Sequence, residues 1–484
     1  MRSSIMLWFV LISITTALSW GVAFAAAPTI NATNGSQAIL LEDIGFHPDI
    51  NGFSFQNYGN EVHVDDLTPA EMLRMFGDCV VAKINGNNIT LTPEAELWME
   101  EANTAMAHGH CEGMAVLSAL MYFNKISPTK FGGKTADELA LKNGLLQREI
   151  AYWWTTQVTH PGGITKINDP DAIVDALAKT FKEGQNGTEW WVMGIYQPNG
   201  SDGHSVTPYA VEDMGNGTAK ILIYDNNIPK IPRSVEINKT TNTWRYTSST
   251  NPNLPPELYE GNASTKNMEI VSISSRLRQQ TCDFCVCRNN STNVGCNGRA
   301  LIWILNGCGN MSGNGRYLVT DQYGRRIGYL NNSSKFINEI PNATRVNLTG
   351  TGAALLELPA CRRSLNNSSL NNSSLDALGL NNSSEIYKIR LDGVLDNVAM
   401  LNPGTALKVK LPSCQVIHGT LAVTIGNTLT TTWTGNQPVV ITEIVGNQVT
   451  NRPSDPNPPH KPQLICTTNT CQNTGETEEV CVPS

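Results

Sequence analysis

Charge is scarce in this 484-residue chain, where only 16% of residues are Asp, Glu, Lys or Arg. That excludes a coiled coil and a highly charged disordered chain, both of which need far more. Basic runs are missing as well. No stretch of Lys or Arg exceeds two residues and the formal net charge is −8, so no nucleic-acid partner is expected, because such a binder shows a basic face. Beyond residue 27 no apolar run reaches the roughly 18 residues of a membrane span. What is present is ample apolar material, 40% of the chain, and a length that suits two or three domains.

The first apolar run does exist. Arg2 precedes a stretch from Ile5 to Phe24 that ends in Ala25-Ala26-Ala27-Pro28. A short basic start, an apolar middle and a small-residue exit describe a secretory signal peptide over 1–27. Ser13, Thr15, Thr16, Ser19 and Gly21 weaken the same run as a retained membrane anchor. The mature chain is therefore expected to be secreted or held at the cell surface, with no membrane span. Asn-x-Ser/Thr sequons agree, at Asn31, Asn34, Asn88, Asn186, Asn199, Asn216, Asn238, Asn262, Asn290, Asn310, Asn332, Asn342 and Asn347. In an exported chain they predict N-linked glycans on surface loops.

Residues 28–64 are polar and read as an N-terminal arm or propeptide. Helix starts follow. Thr68-Pro69-Ala70-Glu71 is a capping box, Thr92-Pro93 opens a helix to about Met106, and Cys111 opens one to about Phe123. That last helix is apolar nearly all round and should be buried. Thr135 to Glu138 is a further capping box, and Asp169-Pro170 starts a helix that Gly184 closes. Strands then take over at Trp190–Tyr196, His204–Glu212 and Thr218–Tyr224, the last two joined by a turn through Asn216-Gly217. Residues 65–262 thus form one α+β domain, and 263–297 a Cys-rich linker. From 298 to 452 seven or so short strands predict a mostly-β region, a β-sandwich. It is interrupted over 365–384 by repeats of Leu-Asn-Asn-Ser-Ser, too polar for a core. Residues 453–484 are a Pro-rich tail with Cys466, Cys471 and Cys481.

The chemistry centres on His108-Gly109-His110-Cys111-Glu112-Gly113. Cys111 heads a buried helix, where unpaired N–H groups and the positive dipole end favour a thiolate. Its own N–H can help to bind an oxyanion. The hairpin register sets His204 opposite about residue 226, so Asp225 or Asn226 lies beside the imidazole and can fix its tautomer. Cys111 read alone is equally a structural cysteine or a disulfide partner, and His204 alone a strand-end histidine. A metal held by His108, His110 and Cys111 would be crowded, and no cofactor is expected.

A cysteine at the head of a buried helix, followed by His and then Asp or Asn on adjacent strands, resembles the papain-like cysteine peptidase superfamily. Gly203-His204-Ser205-Val206 with Ile223-Tyr224-Asp225-Asn226 looks closest to the double-glycine leader peptidases. The resemblance covers about residues 95–230. It implies a papain-like domain, Cys111 as nucleophile, His204 as base, Asp225 as orienting residue and a protein or peptide substrate. In that superfamily a Gln shortly before the cysteine completes the oxyanion hole. No Gln lies between Met72 and Cys111, and Asn103 and His110 are the substitutes at hand. Transglutaminase-like domains share the residue order, which keeps amide transfer open. So does a non-catalytic adhesion or surface-layer protein on the same fold.

The twelve cysteines are uneven. Cys282-Asp283-Phe284-Cys285 opens a cluster that reads as disulfides in an exported chain rather than a zinc knuckle. Ten of the cysteines can pair within the C-terminal half, which leaves Cys79 and Cys111. Two free thiols suit a nucleophile, whereas a Cys79–Cys111 bond would block it. The run Asp321–Tyr329, with Asn338–Pro341 after it, resembles a hairpin of β-sandwich domains appended to bacterial extracellular proteins.

Overall fold

The structure is a computed structural model that describes residues 38–60, 64–163, 165–198, 202–249, 252–285, 298–306, 315–330, 335–350, 353–360, 385–425, 429–454, 464–470 and 477–483. The signal-peptide segment, the Asn/Ser loop 365–384 and the sequons at Asn31, Asn34, Asn199, Asn290, Asn310 and Asn332 lie outside these residues.

The N-terminal half runs β1 (Ile39–Asp43), α1 (Pro48–Asn51), α2 (Pro69–Phe76), the hairpin β2 (Val81–Asn85) and β3 (Asn88–Leu91), α3 (Pro93–Met106), α4 (Cys111–Tyr122), α5 (Gly144–Thr155), β4 (Lys166–Ile167) and α6 (Pro170–Glu183). Strands β5 (Trp191–Ile195), β6 (His204–Gly215), β7 (Thr218–Tyr224), β8 (Pro232–Asn238), β9 (Thr243–Ser248), β10 (Glu257–Asn262) and β11 (Met268–Ser272) follow. They make a sheet in the order β10-β9-β8-β7-β6-β5-β11-β4, with β1 on β6.

Local chemistry explains the helix starts. Thr68 and Glu71 complete the capping box at α2, and the Thr92 and Asp169 side chains accept N–H groups at the starts of α3 and α6. Thr135 instead begins a single 3₁₀ turn, Ala136–Glu138, with no capping bond. Its hydroxyl bonds Asp137 at 2.7 Å, while Glu138 accepts the Lys134 N–H. Helix α5 has no counterpart in the sequence reading. Its cap is Asn143, which accepts from the N–H groups of Leu145 and Leu146. Helix α4 is buried from Cys111 to Met121. A Cβ on Gly113 would fall 2.0 Å from the Ile150 carbonyl oxygen, so glycine lets α4 and α5 meet backbone to backbone.

Two boundaries move. Residues 38–60, read as part of an arm, are built into the fold: β1 pairs with β6, and Phe46, Phe53 and Tyr58 are core residues. The expected linker 263–297 supplies β11, buried along its length between β5 and β4, and the fully buried Arg276.

The C-terminal half is β12 (Gly298–Asn306), β13 (Arg316–Asp321), β14 (Arg326–Tyr329), β15 (Phe336–Asn338), β16 (Thr344–Val346), β17 (Ala354–Ala360), β18 (Glu385–Asn402), β19 (Thr405–Lys410), β20 (Val416–Ile425), β21 (Leu429–Gly435), β22 (Val440–Val445) and β23 (Gln448–Pro453), with a separate hairpin of β24 (Leu464–Thr470) and β25 (Thr477–Pro483). The 18-residue β18 is the central strand of a 12-stranded sheet. Its first half pairs with β13 and β20, its second with β12 and β19. Ile302, Val319, Ile389, Val398 and Leu421 from these strands share one buried apolar cluster.

Strand β12 shows why these halves are one body. Ala300, Ile302 and Ile304 face the sheet core, whereas Leu301, Trp303 and Leu305 join the core of the helical half. Alternate side chains point to opposite faces, so a strand buried on both reads as an unbroken apolar run. Residues 38–484 form one compact unit, and the structure is α+β, with 24% helix and 43% strand. Among the described residues no helix is long and apolar enough to cross a membrane.

Candidate active site

Cys111 opens α4 from a preceding residue, His110, whose side chain makes no capping bond. The first-turn N–H groups of a helix lack intrahelical partners, so this end faces the thiol with its donors uncapped by a side chain. Cys111 is a free, fully buried thiol, whereas Cys79 is disulfide-bonded. The bond feared between these two is therefore absent. Cys282 and Cys285 are joined to each other.

His204 starts β6, and Asp225 follows β7 directly. The register pairs Thr207 with Tyr224 across a bulge, which sets Asp225 beside His204. The imidazole Nε2–H donates to Asp225 Oδ1 at 2.8 Å, with both side chains fully buried. Tyr246 and Ser248 hydroxyls donate to Asp225 Oδ2 at 2.7 and 3.0 Å, and the Asn227 N–H donates to Oδ1 at 2.8 Å. Burial alone would raise this carboxyl, but the His204 charge and these donors hold it at about 2. Burial alone would lower His204, but Asp225 and then the Cys111 thiol push it up to about 10. Nδ1 of His204 is buried and, among the described residues, lies outside ordinary hydrogen-bond geometry with any partner. With Nε2 on Asp225, Nδ1 is the nitrogen left for Cys111.

Asn226 takes a different place. Its Nδ2 donates to the carbonyls of Cys111, at 3.1 Å, and Ser205, at 2.9 Å, tying the helix start to β6. It positions the thiol and does not contact the imidazole by any hydrogen bond among the described residues.

Neither expected oxyanion donor reaches the site. Asn103 spends its amide on the Leu67 backbone, Nδ2 donating to the carbonyl at 3.0 Å and Oδ1 accepting the N–H. The His110 ring turns away, Nδ1 to the Tyr58 carbonyl at 2.8 Å and Nε2 to Asp66 at 2.9 Å, stacked on Tyr58. That orientation also takes the His110 ring out of the His108–His110–Cys111 donor set. The side-chain amide found beside the start of α4 is that of Asn57. Its Oδ1 accepts the His110 N–H at 2.8 Å, its own N–H donates to the Asn226 carbonyl, and its Nδ2 lies 3.1 Å from where a Gly109 Cβ would be. Asn57 lies in the stretch read as an arm, so position in the chain offered no signal for it.

No family model, no curated protein and no solved structure matches this chain.

Proposed function

We propose that the chain is a thiol hydrolase of the papain-like cysteine peptidase kind, exported and acting on peptide or amide bonds. The observation that carries this reading is the His204–Asp225 pair, buried beside a free thiol at an uncapped helix start. A buried ion pair costs desolvation and is a weak way to stabilise a fold. Aligned with a nucleophile, the same pair has a chemical use.

The steps follow from the atoms. Asp225 holds Nε2–H, Nδ1 carries the proton given up by Cys111, and the thiolate of this ion pair attacks a substrate carbonyl. The tetrahedral oxyanion is met by the Cys111 N–H and the Asn57 amide. Nδ1–H then protonates the leaving amine, a thioester remains on Cys111, and His204 activates the water that hydrolyses it. Transfer to an amine in place of water would make the same site a transglutaminase-like amide transferase.

Export is supported by the Cys282–Cys285 disulfide and by the sequon asparagines. Asn88, Asn186, Asn216, Asn238 and Asn342 are exposed, as N-linked glycans require, and Asn262 and Asn347 are half-buried. One observation favours the competing reading, a non-catalytic surface protein: Cys111 and His204 have no exposed area at all.

The test compares native chain and His204→Ala by iodoacetamide alkylation of Cys111 at neutral pH. His204→Ala should slow the reaction by about a hundredfold or more, the usual contribution of a positioned base. Equal rates in the two folded proteins, with Cys111 measurably alkylated in both, sink the hydrolase. Asn57→Ala should leave alkylation intact yet lower turnover of an amide substrate by about a hundredfold, as for one oxyanion donor.

A further inference from the structure

A stretch of the chain itself lies against Cys111. After β16 the backbone runs through Leu348, Thr349 and Gly350, all buried. The Gly350 N–H donates to the Gly203 carbonyl at 2.9 Å, and Thr349 makes a parallel bridge to Gly203, the residue before His204. A Cβ on Gly350, whose φ is +71°, would lie 3.1 Å from Cys111 Sγ and 2.6 Å from the Gly109 carbonyl oxygen. A Cβ on Gly203 would fall 2.3 Å from the Leu348 carbonyl oxygen. Glycines at 109, 203 and 350 thus let one main chain lie against the thiol.

The contact is built on both sides. The Thr349 N–H donates to Gln157 Oε1 at 2.9 Å, and its carbonyl accepts Trp154 Nε1–H at 3.1 Å. Its hydroxyl donates to Glu112 Oε2 at 3.0 Å, and Glu112 is itself paired with the buried Arg276. Gln157, Trp154, Glu112 and Arg276 belong to the thiol-bearing half, whereas Thr349 comes from the sheet half. Orphaned buried polar groups are costly, so this seam is matched only while the segment is in place.

We propose that Leu348–Thr349–Gly350 is an intramolecular occupant of the thiol site, a length of backbone bound where a substrate backbone must lie, which keeps the protein latent. The site then takes peptide main chain paired to Gly203, and an activating event has to draw this segment out. A tethered occupant competes at high effective concentration, so a free peptide displaces it poorly. What the site does rests on the thiol-hydrolase reading, whereas what fills it does not.

Alkylation of Cys111 by iodoacetamide in the full chain, followed by peptide mass mapping, tests this. Near-UV circular dichroism checks that each variant is folded. Gly350→Val cannot keep its place without overlap, so Cys111 should react about a hundredfold faster or more than in the unaltered chain, a population shift from closed to open. Gln157→Ala, which removes one partner of Thr349, should give about tenfold. A folded Gly350→Val with Cys111 still shielded overturns the proposal. So does an unaltered chain found cut after Gly350, since the segment would then be a substrate. If Gly350→Val does not fold, hydrogen exchange on the unaltered chain decides: Thr349 and Gly350 amides protected like those of β6 support the occupant, and loop-like exchange overturns it. The two readings separate in the double variant Gly350→Val, His204→Ala. A thiol that is exposed yet equally reactive with and without His204 keeps the occupant and removes the hydrolase.

Discussion

The two cores of this molecule are made of different things. The core of the C-terminal half is apolar side chains such as Ile302, Ile389, Val398 and Leu421, fully or almost fully buried. The core of the N-terminal half encloses, beside its aromatics, the buried Cys111, Glu112, His204, Asp225, Asn226 and Arg276. Neither half lacks apolar material, so stability alone does not call for buried charge. Charge carried inside at a desolvation cost marks the half where chemistry is expected.

Breaking the polar core should have the larger effect. Asp225→Ala leaves an imidazolium and the Tyr246, Ser248 and Asn227 donors without their acceptor, and should cost about 3–5 kcal/mol, read from the denaturant midpoint. A loss below about 1 kcal/mol would mean that the pair is not charged in the folded protein. In the apolar core Ile389→Ala should cost about 3 kcal/mol through lost burial and a cavity. It should leave the alkylation rate of Cys111 unchanged. If Ile389→Ala alters that rate, the cores are not independent and the contrast between them fails.

The contrast also shows what a sequence can reveal. Helices α2, α3, α4 and α6 were legible because Thr68, Thr92, Cys111 and Asp169 announce them, and the β6–β7 hairpin because Asn216-Gly217 does. The neighbourhood of His204 and Asp225 followed from that register, although a bulge chose Asp225 over Asn226. Local signals fail where tertiary contact decides. Asn57 reaches the His110 N–H, one residue before Cys111, from a polar stretch without helix or strand periodicity. Asn143-Gly144 looks like a turn until its side chain caps α5. The polar stretch Leu348–Gly350 carries no mark of its place against the thiol, because that place depends on Gln157, Trp154 and Glu112 far away in the chain.

Acidity gives a sharper probe of the polar core alone. The folded His204 pKa of about 10 lies above the unfolded value near 6.5. Its stabilisation is complete below about pH 6.5 and drains away as pH rises toward 10. The folded Asp225 value of about 2 lies below the unfolded one near 3.9, so its stabilisation is complete above about pH 4 and is lost toward pH 2. The pair is at full strength only between about pH 4 and 6.5. From pH 6.5 to 8 the wild type should lose up to about 2 kcal/mol in urea titrations, and His204→Gln should lose little over the same range. A parallel slope in both proteins would place the titration elsewhere.

The smallest effect completes the comparison. Arg326 and Glu339 on β14 and beside β15 form a two-pronged ion pair at 2.7 and 2.9 Å, with geometry as good as that of His204 and Asp225. Both side chains are exposed, about 41% each, so water and salt already satisfy the charges that the pair would neutralise. Replacing both by Ala should leave the thermal midpoint unmoved within error, at low and high salt alike. A measurable drop at low salt would show that ion-pair geometry, rather than burial, sets the worth of charge in this protein. The contrast between the two cores would then no longer single out the His204–Asp225 pair.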